Sequence, residues 1–165
     1  MEENQMELFQ VSKYLDVEHT IAKYMFDPVE NPWEVLPSIS IFIEQLGPML
    51  PSEEFEQRGS NVWISKSAVI APTAYIGGPC IIDAGTEVRH CAFIRGSAII
   101  GKNCVIGNST EVKNSIIFDE VQIPHYNYVG DSILGFRSHL GAGAITSNVK
   151  NDKSNVEVNF ALGKM

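Results

Sequence analysis

Residues 64–112 read ISKSAVIAPTAYIGGPCIIDAGTEVRHCAFIRGSAIIGKNCVIGNSTEV. An aliphatic residue returns every six positions through this stretch: Ile64, Ile70, Ile76, Ile82, Val88, Ile94, Ile100, Ile106 and Val112. Four residues after each stands a small or compact one, Ala68, Ala74, Cys80, Thr86, Ala92, Ala98, Cys104 and Thr110, until Ile116 ends that second series. Neither the 3.6-residue period of a helix nor the two-residue period of a simple strand produces such a rule. A solenoid does, because one residue in six must enter a narrow core while its neighbours face water. The repeat predicts an all-β chain, a left-handed parallel β-helix in which three hexapeptides make one triangular coil. Positions eighteen apart then stack at the usual strand spacing of about 4.8 Å.

Working outward, the rule loosens after Phe118, where Ile123 and Val129 carry the apolar signal, then steps by five to Leu134-Gly135 and resumes at Leu140-Gly141. A one-residue slip in a strict repeat re-aims side chains as a β-bulge does, and this one falls in the most polar and aromatic part of the chain. Residues 1–58 have a different texture. Asp16 is placed to cap a short helix through Tyr24; Asp27-Pro28 and Asn31-Pro32 interrupt the chain. A second helix is expected from about Trp33 to Leu46, ended by Gly47-Pro48, with Leu36, Ile39, Ile43 and Leu46 as its apolar stripe. The expectation is a helical N-terminal cap over residues 1–58, seated on the open first coil of a β-helix at 59–165, because a parallel β-helix leaves unpaired backbone at its ends.

At 165 residues the chain is long enough for a real core. A formal net charge of −8 argues against a nucleic-acid or membrane-surface partner. No run approaches the 18 or so apolar residues of a membrane span, and the N-terminus lacks a signal peptide's basic start and apolar middle. Three cysteines do not make a disulfide scaffold; Cys80 and Cys104 occupy small inward slots, so both are expected buried and reduced. A cytoplasmic protein is the simplest reading.

Arg95 and Lys113 each follow an inward aliphatic residue and stand eighteen apart, which stacks two outward cations on adjacent coils. Like charges this close repel unless an anion neutralises them, so the pair reads as a phosphate clamp, fork plus point charge, or as two solvated cations that splay apart. His125 lies in Pro124-His-Tyr-Asn-Tyr-Val-Gly-Asp131 and has the side chain best suited to take a proton from an amine near neutral pH; His90 and His139 are eligible by residue type alone. Gly141-Ala-Gly-Ala144 is either a tight corner or a place where a ligand approaches the backbone.

Taken in order, Gly107-Asn108, Glu111-Val-Lys113, His125, Tyr128-Val-Gly-Asp131, Leu140-Gly-Ala-Gly143 and Ile145-Thr-Ser-Asn148 closely resemble the C-terminal acetyltransferase domain of bifunctional N-acetylglucosamine-1-phosphate uridyltransferases, and their archaeal sugar-phosphate relatives. The correspondence runs without a gap from Arg95 to Asn148. With Asn31-Pro-Trp-Glu-Val-Leu36 the whole chain resembles the short stand-alone, nucleotidyltransferase-like members of that group. The resemblance implies transfer of an acetyl group from acetyl-CoA, as co-substrate and with no metal, to the amine of an amino-sugar 1-phosphate. By position, His125 is implied as general base, with Asn148 at the reacting centre. Arg95 and Lys113 are implied for the sugar phosphate, Tyr128 for the sugar, and Ala142 and Gly143 for the coenzyme thioester. His139 stands where the larger enzymes have a sugar-binding asparagine. Their following lysine is Ser154 here, leaving Lys153 or Lys150 to stand in with a shift. The resemblance also implies a homotrimer with each site at a subunit boundary. A sugar-phosphate-binding trimer that lacks a complete coenzyme site is the alternative. A zinc-dependent carbonic anhydrase on the same solenoid needs two histidines five apart, whereas Gly130 and Arg95 stand five after His125 and His90.

Overall fold

The computed structural model describes residues 9–146, 150–154, 159–160 and 163–164. The hexapeptide rule becomes three stacked ladders of short parallel strands. The first face carries β2 (Val62–Ser65), β5 (Cys80–Ile82) and β8 (Ala98–Ile100). The second carries β3 (Val69–Ile70), β6 (Glu87–Val88), β9 (Val105–Asn108) and β11 (Gln122–His125). The third carries β4 (Tyr75–Ile76) and β7 (Phe93–Ile94). Two longer strands, β10 (Glu111–Ile117) and β12 (Tyr128–Leu134), bend from the third face into the first. Bridges Gln122↔His139 and Tyr128↔Ile145 carry the winding onward. This is the expected parallel β-helix. Its inner rungs, from Ile64 through Ile82, Ile94, Ile106 and Val112 to Ile123 and Val129, are essentially fully buried. Cys80 and Cys104 are buried as expected, and desolvation pushes both thiols up to about 12.

The slip in the repeat begins one coil earlier than the spacing suggested. Val112 is level with Ile94 and Ser115 with Ala98, so the upper corner has one residue fewer than the lower. Ile117, five residues after Val112, is therefore the inner rung paired with Ile100, and Phe118 is not. Two adjacent isoleucines, Ile116 and Ile117, hid the step: either satisfies an aliphatic rule. The shortened corner recurs between Val129 and Ser132, and it is what fuses two short strands into one bent β10.

The N-terminal segment is only partly helical. Asp16 does cap, accepting from the Glu18 N–H at 3.3 Å, but it opens a 3-10 turn at Val17–His19, and a second 3-10 turn forms at Lys23–Met25. The expected helix from Trp33 splits at Pro37 into a 3-10 stretch, Pro32–Ser38, and the α-helix Ile39–Leu46, since proline lacks the N–H and crowds the preceding turn. Nor does the apolar stripe of the segment's helix sit on the open first coil. Its helix packs along the flank of the solenoid against β5, β8 and β10. The reason is an outward column on the first face, Trp63, Ile81, Ile99, Ile116 and Ile133, level with one another coil after coil. Ile39 and Ile43 of the helix and Ile81, Ile99 and Ile116 beneath it have no exposed surface, and each such side chain contributes about 1.5–3 kcal/mol of burial. Gly47 completes the fit, because a Cβ there would lie 2.0 Å from the Trp63 indole nitrogen. Among the described residues the end of the first coil is left as a cavity of about 280 Å3 lined by Arg58, Ile64, Ile70, Ala74 and Ile76. Among the described residues only its first-face edge is paired, by the antiparallel β1 (Phe55–Gln57) against β2. No helix among the described residues is long and apolar enough to cross a membrane.

Candidate functional site

With the first face covered, the third face and its two bounding corners present most of the polar residues that the spacing marked. At the corner where the third face turns into the first, Arg95 and Lys113 stand on successive coils, and both line one groove of about 290 Å3 with Gly78, Gly96, Ser97, Asn114 and Asp131. The stacking inferred from their spacing places them together. Their mutual repulsion is relieved from within the chain: Arg95 donates to Glu111 at 2.8 Å, and the Lys113 ammonium lies 3.2 Å from the Asp131 carboxylate. The Asn114 amide also donates to Asp131, at 2.8 Å. The hydrogen bond that Arg95 donates to Glu111 raises the guanidinium above its ordinary pKa, with Tyr128 a weaker contributor. These pairs are half exposed, so an incoming anion exchanges one partner for another at little cost. The tight corner makes the groove: its left-handed residues are Gly96, Ser97, Asn114 and Asp131, and the shortened coil draws Asn114 and Asp131 into line.

Tyr128 lies on the third face between the corners, level with Glu111. Its ring runs along the strand over Gly130, where a Cβ would come within 2.5 Å of the hydroxyl oxygen. Gly130 is itself level with Lys113, so the missing side chain is what lets the phenol point toward the cationic groove.

His125 sits at the opposite corner, where the second face turns into the third. It is exposed, level with Asn108, and its ring has no hydrogen-bond partner among the described residues. Above it runs the Gly141–Ala144 turn: the Gly143 N–H donates to the His125 carbonyl at 3.1 Å, and the Ala144 N–H donates to the Gly141 carbonyl at 3.1 Å. Ala142 and Gly143 are exposed. A Cβ at Gly141 or Gly143 would meet nothing in this chain. Gly143 has φ of 75°, but Cys91, Ser109 and Tyr126 hold the same corner position at 56°, 52° and 51°. Close packing within the chain therefore does not demand either glycine, and the open space beside them suits a molecule approaching from outside.

The remaining candidates are dispersed. His139 is exposed on the second face, level with Gln122, away from the cationic groove. Lys153 is exposed on a turn closed by its N–H to the Lys150 carbonyl at 3.0 Å. Asn148 lies outside the described residues. Within one chain the structure thus brings together Arg95, Lys113 and Tyr128 on one side, and His125, Ala142 and Gly143 on the other, along opposite borders of a single face. Spacing did not single out the carboxylates Glu111 and Asp131 as partners of the cations, because those contacts depend on the register between coils, and it missed Asn127, a polar residue in a small inward slot. Among the described residues no three His, Cys, Asp or Glu side chains gather as a metal-binding group; His90 instead shares a 2.7 Å hydrogen bond with Thr73.

Residues 76–162 match the family model described as the GMPPB C-terminal domain. The chain belongs to this family. The match to the GMPPB C-terminal domain takes in every candidate residue from Arg95 to Lys153. Among curated proteins the chain is similar to the bifunctional protein GlmU of Methanococcus maripaludis strain C5, 38% identical over 138 residues, which are 82% of this chain and 33% of that protein. It is similar to the GlmU of Methanocaldococcus jannaschii, 32% identical over 137 residues (82% and 34%). It is also similar to that of Desulfitobacterium hafniense strain DCB-2, 33% identical over 128 residues (66% and 28%). The chain spans about a third of the length of these relatives.

Proposed function

We propose that this GMPPB C-terminal domain protein transfers an acetyl group from acetyl-CoA to the amine of an amino-sugar 1-phosphate. The observation that carries the proposal is the groove at the Arg95–Lys113 corner. Two cations on successive coils, a phenol aimed at them by a bare Gly130, and the carboxylates Glu111 and Asp131 suit a ligand bearing both a phosphate and an ammonium group. In the reaction the imidazole of His125 takes a proton from the substrate ammonium. The freed nitrogen lone pair attacks the thioester carbonyl carbon, the C–S bond breaks, coenzyme A leaves as the thiol with the proton held by His125, and the second nitrogen proton passes to solvent as the amide forms. Ala142 and Gly143, in open space beside His125, would flank the thioester, and Asn148 would act at the reacting centre. Tyr128, His139 and Lys153 would contact the sugar.

His125 and the cationic groove border the same face at opposite edges, so one chain does not bring them together. Two edges from neighbouring protomers would, which supports a homotrimer with sites at its subunit boundaries. Tyr75 and Phe93, exposed on the third face and in edge-to-face contact at 5.5 Å, suit such a boundary.

The reading is tested by incubating the purified chain with acetyl-CoA and glucosamine 1-phosphate or galactosamine 1-phosphate, and weighing the sugar product. A gain of one acetyl group on one sugar supports transfer and names the substrate; no gain on either contradicts it. A second reading, a sugar-phosphate-binding trimer without transfer, is favoured by one observation: the Gly143 and Ala144 amides, suited to an oxyanion, are already engaged by carbonyls. That reading predicts binding of the phosphosugar with no thiol release.

A further inference from the structure

We infer that Asn127 is a positioning residue, one that clamps the corner bearing His125 to the Gly141–Ala144 turn; the inference rests on the acetyl transfer proposed for this chain. Asn127 occupies the inward slot filled on the preceding coils by Ala74, Ala92 and Thr110, small residues that need no partner or only one. A carboxamide there, 3% exposed, requires full hydrogen bonding, since an unpaired buried amide costs about 1–3 kcal/mol. It has it, from two directions. Its Oδ1 accepts the backbone N–H of His125 at 3.1 Å, and its Nδ2 donates to the Gly141 carbonyl at 2.7 Å and the Ala144 carbonyl at 3.3 Å. One side chain therefore ties the residue proposed as base to both ends of the turn proposed to flank the thioester. A main-chain tie between the same two pieces, Gly143 N–H to His125 carbonyl, runs alongside it.

The lower coils show that the solenoid does not need this device to turn the corner. Alanine at 92 makes the same bend, with its left-handed residue, Cys91, in the same place as Tyr126. At Thr110 the hydroxyl makes a single bond upward, to the Ile123 carbonyl at 3.3 Å. Asn127 adds to the fold a fixed distance between two coils at the one corner where a reacting histidine and a bare glycine turn are stacked. A displacement of about 1 Å between reacting groups can cost a hundredfold in rate, which is the scale on which such a clamp acts.

The test uses the full-length chain with Asn127→Ala, which reproduces the residue of the lower coils, and Asn127→Thr, which restores one upward hydrogen bond. Asn127→Ala is expected to lower kcat by about 10–100-fold and to raise KM for acetyl-CoA. KM for the sugar phosphate, held at the other corner by Arg95 and Lys113, stays within about twofold, and Asn127→Thr recovers part of the rate. Backbone amide exchange supplies a readout independent of turnover: the His125 and Gly143 amides are expected to exchange at least tenfold faster in Asn127→Ala, while those of Arg89 and Arg95 on lower coils keep their protection. If the unaltered chain transfers no acetyl group, the reaction fails and the clamp is judged on exchange alone. Exchange unchanged at His125 and Gly143, or accelerated equally on every coil, overturns the clamp. So does a kcat that falls only in step with the melting temperature.

Discussion

The first and third faces of the solenoid are made from the same repeat, yet one is closed and the other open. On the first face the outward positions are Trp63, Ile81, Ile99, Ile116 and Ile133, and the chain's own N-terminal segment lies over them. On the third face the same kind of position holds Tyr75, Phe93, Glu111 and Tyr128, followed by Arg95 and Lys113 one step on. Inward residues decide that a β-helix forms; outward ones decide what each face meets. Here a largely aliphatic column receives a helix, and a column of rings and charges is left uncovered by the described residues of the chain.

Truncating one residue on each face puts this contrast under the greatest load. Ile99→Ala, under the helix and with no exposed surface, should cost about 2–5 kcal/mol of unfolding free energy. Phe93→Ala, 41% exposed, should cost under about 1 kcal/mol and instead weaken self-association, read by sedimentation. Equal losses from the two would erase the distinction. On the open face, Arg95→Ala should weaken sugar-phosphate binding at least tenfold, about 1.4 kcal/mol, with an unchanged melting temperature. Asp131→Asn should weaken it a few-fold at low salt by removing a carboxylate suited to the ligand's ammonium; calorimetric titration of both variants decides, and tighter binding to Asp131→Asn would show that Asp131 serves only as the in-chain partner of Lys113.

The smallest effect belongs to the border of the covered face. Burial pushes the Asp83 carboxyl above its usual pKa of 3.8. Its native value then exceeds the unfolded one, so stability is greatest in acid and declines as pH rises from 3.8 through the raised native value. Asp83→Asn should therefore stabilise by up to about 1 kcal/mol at pH 7, a gain that shrinks to nothing below about pH 3.8. A gain independent of pH would assign it to packing rather than charge.

The coil architecture was legible in the sequence because a solenoid core imposes its period on every rung from Ile64 to Val112. The cationic corner was legible for the same reason: stacking converts a separation of eighteen into contact. The features that escaped obey no inward rule. The seat of the N-terminal helix depended on the outward residues Trp63, Ile81 and Ile99, which recur every eighteen positions but sit beside inward isoleucines that mask them. The early step at Val112–Ile117 was hidden by the adjacent Ile116. The carboxylates of the groove and the Asn127 clamp are polar contacts between coils, visible only once register is fixed.

The decisive measurement is thiol release from acetyl-CoA in the presence of an amino-sugar 1-phosphate, with His125→Ala alongside. Base catalysis by His125 predicts release that requires the amino sugar and falls by at least a hundredfold in His125→Ala, while the variant's assembly and phosphosugar binding are retained. Release that is undiminished without the His125 imidazole would overturn it.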